Sequence, residues 1–163
     1  MAYKDFRDFL DTLHKEGQLL TITDEVQPDP DLGSAGQAIS NLGDQTPGLL
    51  FTNIYGYNNA KVALNVMGSW SNHALMMGLP KSTPVKEQFF EFARRYEKFP
   101  VKVKREETAP FHECEIKDDI NLFDLLPLFR LNQGDGGYYL DKACVISRDQ
   151  HDKAHFGKQN VGI

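Results

Sequence analysis

The chain is poor in the residues that most readily announce a function. Its 163 residues include only two cysteines, Cys114 and Cys144, far apart in sequence. That spacing excludes a thiolate metal site of the C-x-x-C kind, and a disulfide between them has no sequence support. Positive charge is also scarce, with 18 Lys and Arg against 23 Asp and Glu and a net charge of -5. No block of like charge exceeds two or three residues. Neutralising phosphates needs a basic face, so nucleic acid is not expected as a partner. No apolar run approaches the ~18 residues of a membrane span. The opening "MAYKDFRDFL" lacks the apolar core of a secretory signal. A reducing cytoplasm is therefore the expected location. Self-contained catalytic motifs are missing too: there is no P-loop, no strand-bound G-x-G-x-x-G, no G-x-S-x-G and no H-E-x-x-H.

What remains is the composition of a globular protein, 40% hydrophobic and 25% charged. In "YKDFRDFLDTLHKEGQL", Phe6, Phe9, Leu10 and Leu13 fall at i, i+3, i+4 and i+7, which predicts a helix over 4–16 with one apolar face. Lys15 suits its last turn and Gly17 its end. "LLTITDEV" alternates as a strand does, and the prolines of "QPDPDL" break it. Asp31 is expected to cap a short, glycine-weakened helix, "LGSAGQAISNLG". "PGLLFTNI" (strand 48–54) and "KVALNVMGS" (strand 61–67) read as buried strands joined through the turn-rich "YGYNNA". "SNHALMMGL" predicts a short helix. "STPVKEQFFEFARRYEKFP" predicts a longer one, capped by Ser82 or Thr83, with Pro84 at its first position and Pro100 past its end.

Beyond this, "VKVKREETAPFHECEI" reads as extended, and Pro127 interrupts the apolar "NLFDLLPLFRL". "YYLDKACVISRD" is a strand, "QHDKAHFGK" a polar hairpin loop, and "QNVGI" the start of the partner strand. The expected fold class is an α/β (α+β) N-terminal domain over 1–105, followed by the first strands of a β-rich domain over 106–163. Two or three strands are too few to close a sheet alone. A strand with polar residues first and Val161 and Ile163 last is unlike a fraying terminus, so the chain is expected to continue past Ile163.

Several residue groups carry possible chemistry. His151 and His155 have metal spacing but lie in a charged loop, where solvated histidines are the plainer reading. Asp118 and Asp119 read as a cap or turn. His112 and Cys114 alternate as a nucleophile and base could, on weak grounds. "NQGDGGYYLDK" places three glycines before an aromatic strand, where backbone can approach a ligand closely or simply turn. Lys142 offers a point charge to a phosphate, or faces solvent. Asn160 offers a neutral oxygen to a hard cation, though one amide makes no metal site.

These stretches resemble the UbiD-family decarboxylases. "YKDFRDFLDTLHKEGQLLTI", "PGLLFTNIYGY", "GDGGYYLDKACVISRD" and "FGKQNVGI" follow the family's order along essentially the whole chain. The last resembles most the hydroxyarylic acid decarboxylase large subunits, which act on 4-hydroxybenzoate, vanillate or phenolic acids. The resemblance implies a flavin-binding split barrel after residue 105, with the family's N-x-G-x-Y-R pattern beginning at Asn160. It implies that Asn160 is a ligand of a divalent cation, usually manganese, with potassium as a further ion. It implies that Ile163 lies against prenylated FMN and that Lys142 is near the cofactor. No catalytic residue falls within the chain, since the family's Glu-Arg-Glu set lies downstream.

The implied reaction is reversible, non-oxidative decarboxylation of a hydroxybenzoate, with the modified flavin as electrophile and electron sink. The implied partners are the aromatic acid, further copies in a homo-oligomer, a small accessory subunit and a flavin prenyltransferase that supplies cofactor. The 163 residues alone are expected to be inactive. Two other readings stay open. One is the 4-hydroxy-3-polyprenylbenzoate decarboxylase of ubiquinone biosynthesis, and the other is a catalytically empty interaction module.

Overall fold

The first helix forms where apolar spacing and end chemistry agree. In the computed structural model, which describes residues 3–100, 102, 107–140, 144–148, 151 and 156–161, helix α1 spans Phe6–Lys15. The Asp5 carboxylate accepts from the Asp8 N–H at 2.9 Å, and the Asp8 carboxylate accepts from the Lys4 N–H at 3.1 Å. The first bond satisfies one orphan donor of the first turn, and the second ties down the residue before the cap. At the other end Gly17 has φ +70°. Its N–H bonds the His14 carbonyl at 3.1 Å, and the Gln18 N–H bonds the Leu13 carbonyl at 2.7 Å, a Schellman ending. Only glycine enters that left-handed conformation without penalty.

Strands β1 (Leu19–Ile22), β2 (Gly48–Phe51) and β3 (Val62–Leu64) form one sheet in the order β1-β2-β3. β1 is parallel to β2, with Leu20 opposite Leu49, and β2 is antiparallel to β3, with Leu49 opposite Leu64. Helix α2 (Gly33–Ser40) lies in the parallel connection, entered through a wide turn at Pro28–Leu32. Helices α3 (Trp70–Met76) and α4 (Val85–Tyr96) follow β3. The predicted order of helix, strand, helix, two strands and two helices is the observed one.

The core has two parts. On one side of the sheet Leu32, Leu49, Phe51 and Ile54 are buried, with Ala35 and Ile39 of α2 and the distant Phe129 packed on them. Phe9, Leu13 and Leu75 form the second cluster, with Leu19 and Val66. Leu19 alternates with Leu20, so α1 covers the opposite face from α2. Each such side chain contributes about 1.5–3 kcal/mol on burial.

Several local expectations need correction. Phe6 is 53% exposed, so the buried face of α1 is narrower than its four apolar positions suggested. Asp31 does not cap α2, whose N-terminal flank, Leu32, is already helical. Its carboxylate instead accepts from the Gln27 N–H at 2.8 Å, bracing the turn before the helix. Neither Ser82 nor Thr83 caps α4, where Pro84 is the flanking residue. The Thr83 hydroxyl donates to the Pro80 carbonyl at 2.6 Å. The strands predicted over 48–54 and 61–67 are shorter, and the first ends at Phe51 with only an isolated bridge from Val26 to Ile54 beyond it. The stretch 101–116, read as extended, holds a short 3-10 turn at Pro110–Glu113. Strands β4 (Cys144–Arg148) and β5 (Phe156–Val161) form a separate antiparallel pair, as expected for the hairpin, but 138–140, read as strand, are not in one, and 156–158, read as loop, belong to β5.

Candidate functional site

Residues 121–138 pack against the three-stranded unit and lead towards the glycine-rich stretch. Asn121 starts the short helix α5 (Leu122–Leu125), its side-chain oxygen accepting from the Phe123 N–H at 3.1 Å. After Pro127 the chain crosses α2. There Phe129 enters the core, and the Arg130 Nε reaches the Asp29 Oδ2 at 3.4 Å, across 101 residues of sequence. The Arg130 guanidinium also lies 5.6 Å from the centre of the Tyr138 ring, a cation–π distance. Tyr138 in turn meets Phe123 edge-on, with ring centres 5.1 Å apart. The Tyr57 hydroxyl donates to the Phe123 carbonyl. A continuous strut thus ties the base of the glycine loop to the three-stranded unit.

This packing leaves a cleft of about 700 Å³ between α2 and residues 130–133. Polar groups from Asp29, Ser34, Gln37, Arg130 and Asn132 line it. Its floor is tight: a Cβ on Gly33 would stand 2.2 Å from the Arg130 carbonyl oxygen. The glycine loop beyond it is open. The Asp135 carboxylate closes a turn by accepting from the Asn132 N–H at 2.9 Å. A Cβ built on Gly134 or Gly137 would meet nothing within 4 Å. Room for a ligand to approach the backbone therefore exists at this loop.

In the hairpin, Asn160 of β5 pairs with Val145 of β4, and Cys144 pairs with Val161. The register shifts between Ser147 and Arg148, a bulge that bends the strand. Lys142 and Ile163 lie outside the described residues, as does His155. His151 is exposed in a bend. Asp119 takes φ +49° within a bend, in keeping with the turn reading of Asp118 and Asp119. His112 lies in the 3-10 turn and Cys114 is an exposed free thiol, not half of a disulfide. Among the described residues no group of three or more His, Cys, Asp or Glu could hold a metal. Among those residues, too, no helix is long and apolar enough to cross a membrane.

Sequence reasoning did not find Arg130 or Asp29. Each is an ordinary surface charge in its own neighbourhood, and only the crossing of residues 127–131 over α2 brings them together.

Among the described residues the strongest electrostatic perturbation lies elsewhere, on α4. The Glu91 carboxylate takes hydrogen bonds from Arg94 at 2.6 and 2.8 Å and from Arg95 at 2.7 Å. The Arg94 bonds first, then those from Arg95, hold its pKa down to about 2. This fork shapes the helix surface and touches no cavity wall described above.

Comparison with known proteins gives the assembly its context. Residues 10–92 match the 3-octaprenyl-4-hydroxybenzoate carboxy-lyase N-terminal domain, and residues 76–163 match the Rift-related domain of the same carboxy-lyase. The chain is 73% identical over 163 residues to a phenolic acid decarboxylase of Bacillus subtilis, covering all of this chain and 34% of that protein. It is similar in structure to the vanillic acid decarboxylase ShVdcCD of Sedimentibacter hydroxybenzoicus in open form. That match has a TM-score of 0.84 at 49% identity, covering 99% of this chain and 34% of the other. It is also similar to a dimeric UbiD-class enzyme of Pelotomaculum thermopropionicum in complex with prenylated FMN. There the TM-score is 0.74 at 28% identity, over 94% of this chain and 33% of the other. The chain spans about a third of the length of the relatives it matches. Each domain match covers more than half of the 163 residues, and the chain belongs to the UbiD family of carboxy-lyases.

Proposed function

We propose that the chain is the N-terminal portion of a reversible, non-oxidative hydroxyarylic acid decarboxylase of the 4-hydroxybenzoate, vanillate or protocatechuate type. The observation that carries this reading is the 73% identity to a phenolic acid decarboxylase, sustained over all 163 residues. A relative at 50% identity, from Sedimentibacter hydroxybenzoicus, has the same name. The polyprenylbenzoate substrate in the domain description keeps a second reading, 4-hydroxy-3-polyprenylbenzoate decarboxylation, in view. Identity to the phenolic acid enzymes favours the small substrate.

Prenylated FMN would supply the electrophile and electron sink for loss of carbon dioxide. The part assigned to this chain is to hold that cofactor. Asn160 is proposed as a ligand to manganese, with Lys142 and Ile163 against the cofactor and potassium as a further ion. Asn160 pairs with Val145 of β4, which fixes its place in the hairpin. The open backbone at Gly134 and Gly137 leaves room for a ligand at that loop. On this reading residues 1–105 form the N-terminal α/β domain and 106–163 begin a flavin-binding split barrel. The proposed setting is cytoplasmic, in a homo-oligomer, with a small accessory subunit and a flavin prenyltransferase as partners. A structure of the Sedimentibacter enzyme with a truncated ShVdcD supports the accessory subunit.

The test has two arms. In the full-length protein, Asn160→Ala should reduce bound manganese and flavin after gel filtration while leaving the far-UV circular dichroism unchanged. The 163-residue chain, titrated with modified flavin and manganese, should retain neither stoichiometrically, because one amide oxygen is a poor site for a hard dication. Stoichiometric retention by the short chain would refute the assignment of a shared site. Full-length Asn160→Ala protein with wild-type metal content would refute the role of Asn160.

A further inference from the structure

We propose that Arg130 and Tyr138 are positioning residues for the glycine loop between them, holding residues 132–137 in the arrangement that receives the flavin. The inference rests on the cofactor-holding role proposed above. Both ends of the loop are tied to one guanidinium. At the first end the Arg130 Nε lies 3.4 Å from the Asp29 Oδ2, in the turn that leads into α2. The Arg130 carbonyl sits so close to α2 that a Cβ on Gly33 would stand 2.2 Å from its oxygen. The preceding residue, Phe129, packs on the core. At the second end the same guanidinium lies 5.6 Å from the centre of the Tyr138 ring. Phe123 meets that ring at 86°, and its carbonyl accepts from the Tyr57 hydroxyl.

Between these ends the loop is held by its own turn. Among the described residues, the hydrogen bonds of 132–137 are internal. The Asn132 N–H donates to the Asp135 carboxylate at 2.9 Å, and the Asp135 N–H donates to the Asn132 carbonyl at 3.1 Å. Such a turn keeps its shape but does not set its own place on the domain. Its placement is set by what holds its ends, and a loop fixed beforehand loses less freedom when a ligand binds. Tyr138 also governs the approach to β4. Lys142 follows it by four residues and Cys144 by six, and the next residue, Val145, lies opposite Asn160.

The strut is poorly suited to a purely structural task. Arg130 is 43% exposed and Asp29 30%, and ion pairs so open to water contribute little to stability. Their effect is therefore expected in the placement of the loop more than in the stability of the fold.

The test uses the full-length protein, with FMN titrated in the presence of manganese and followed by flavin fluorescence. Urea midpoints are measured on the same samples. Arg130→Gln and Tyr138→Leu should each raise the FMN dissociation constant about tenfold, the low end of what outer supports of a binding site are worth. Their urea midpoints should stay near that of the wild type. Tyr138→Phe should bind as the wild type does, because the ring makes both contacts. In the flavin-free protein, amide hydrogen exchange over 132–137 should quicken in Arg130→Gln and Tyr138→Leu and not in Tyr138→Phe. Wild-type protein that binds FMN, with both variants binding equally well, overturns this inference and leaves the decarboxylase reading standing. Wild-type protein that binds no FMN overturns that reading and this inference with it. Weaker binding that follows a fall in urea midpoint, with exchange over 132–137 unchanged, marks a structural role and overturns the inference. So does a Tyr138→Phe variant as weak as Tyr138→Leu.

Discussion

Two glycines in α2, three residues apart, should respond to the same substitution with opposite sign. A Cβ on Gly33 would stand 2.2 Å from the Arg130 carbonyl oxygen and 3.2 Å from that of Leu131. Ordinary contact begins at 3.4 Å, so the crossing backbone must retreat by more than an ångström. That retreat pulls on Phe129 in the core and on the Arg130–Asp29 pair. Overpacking of this kind costs about 1–3 kcal/mol, while alanine's helix preference returns at most ~1 kcal/mol. Gly33→Ala should therefore destabilise by about 1–2 kcal/mol net. A Cβ on Gly36 meets only the Leu64 Cδ1 at 3.6 Å, an ordinary contact. Gly36→Ala should stabilise by about 0.5–1 kcal/mol. Urea unfolding followed by circular dichroism reads both, as midpoint shifts at constant slope. In thermal melts the two variants should separate by several degrees, at about 2–4 °C per kcal/mol for a chain of this size. Gly33→Ala as stable as Gly36→Ala would refute the docking of residues 128–131 on α2.

Other expectations follow from single contacts. Leu13 is fully buried against Phe9 and Leu75, so Leu13→Ala should cost about 2–5 kcal/mol in the same urea assay. Glu91 has a folded pKa near 2 against an ordinary value of 4.5. A depressed carboxylate contributes stability that is complete above 4.5 and is lost as pH falls towards 2. Helicity of the wild-type chain should therefore fall more steeply between those values than that of Glu91→Gln, in an acid titration by circular dichroism. Equal slopes would show that the fork with Arg94 and Arg95 does not form in solution.

How much was legible in the sequence depended on the range of the interaction concerned. Helix α1 was readable because its apolar period and its Gly17 ending both act within one or two turns. The order of elements through α4 was readable for the same reason, since periodicity and proline placement are local signals. The caps of α2 and α4 were misread because the chain enters α2 already turned, through Pro28–Leu32, and because the residue flanking α4 is Pro84, which has no hydroxyl, while the Thr83 hydroxyl donates back to the Pro80 carbonyl. Phe6 looked like core because periodicity reports a face and not how far the neighbouring sheet extends beneath it. Asn160 was visible as part of a short pattern, and its strand pairing with Val145 agrees with the expected hairpin. The Asp29–Arg130 pair, the cleft beside it and the demand for glycine at position 33 could be decided only by tertiary structure. They arise where segments a hundred residues apart meet, and no local propensity encodes which carbonyl will lie 2.2 Å from a missing methyl group.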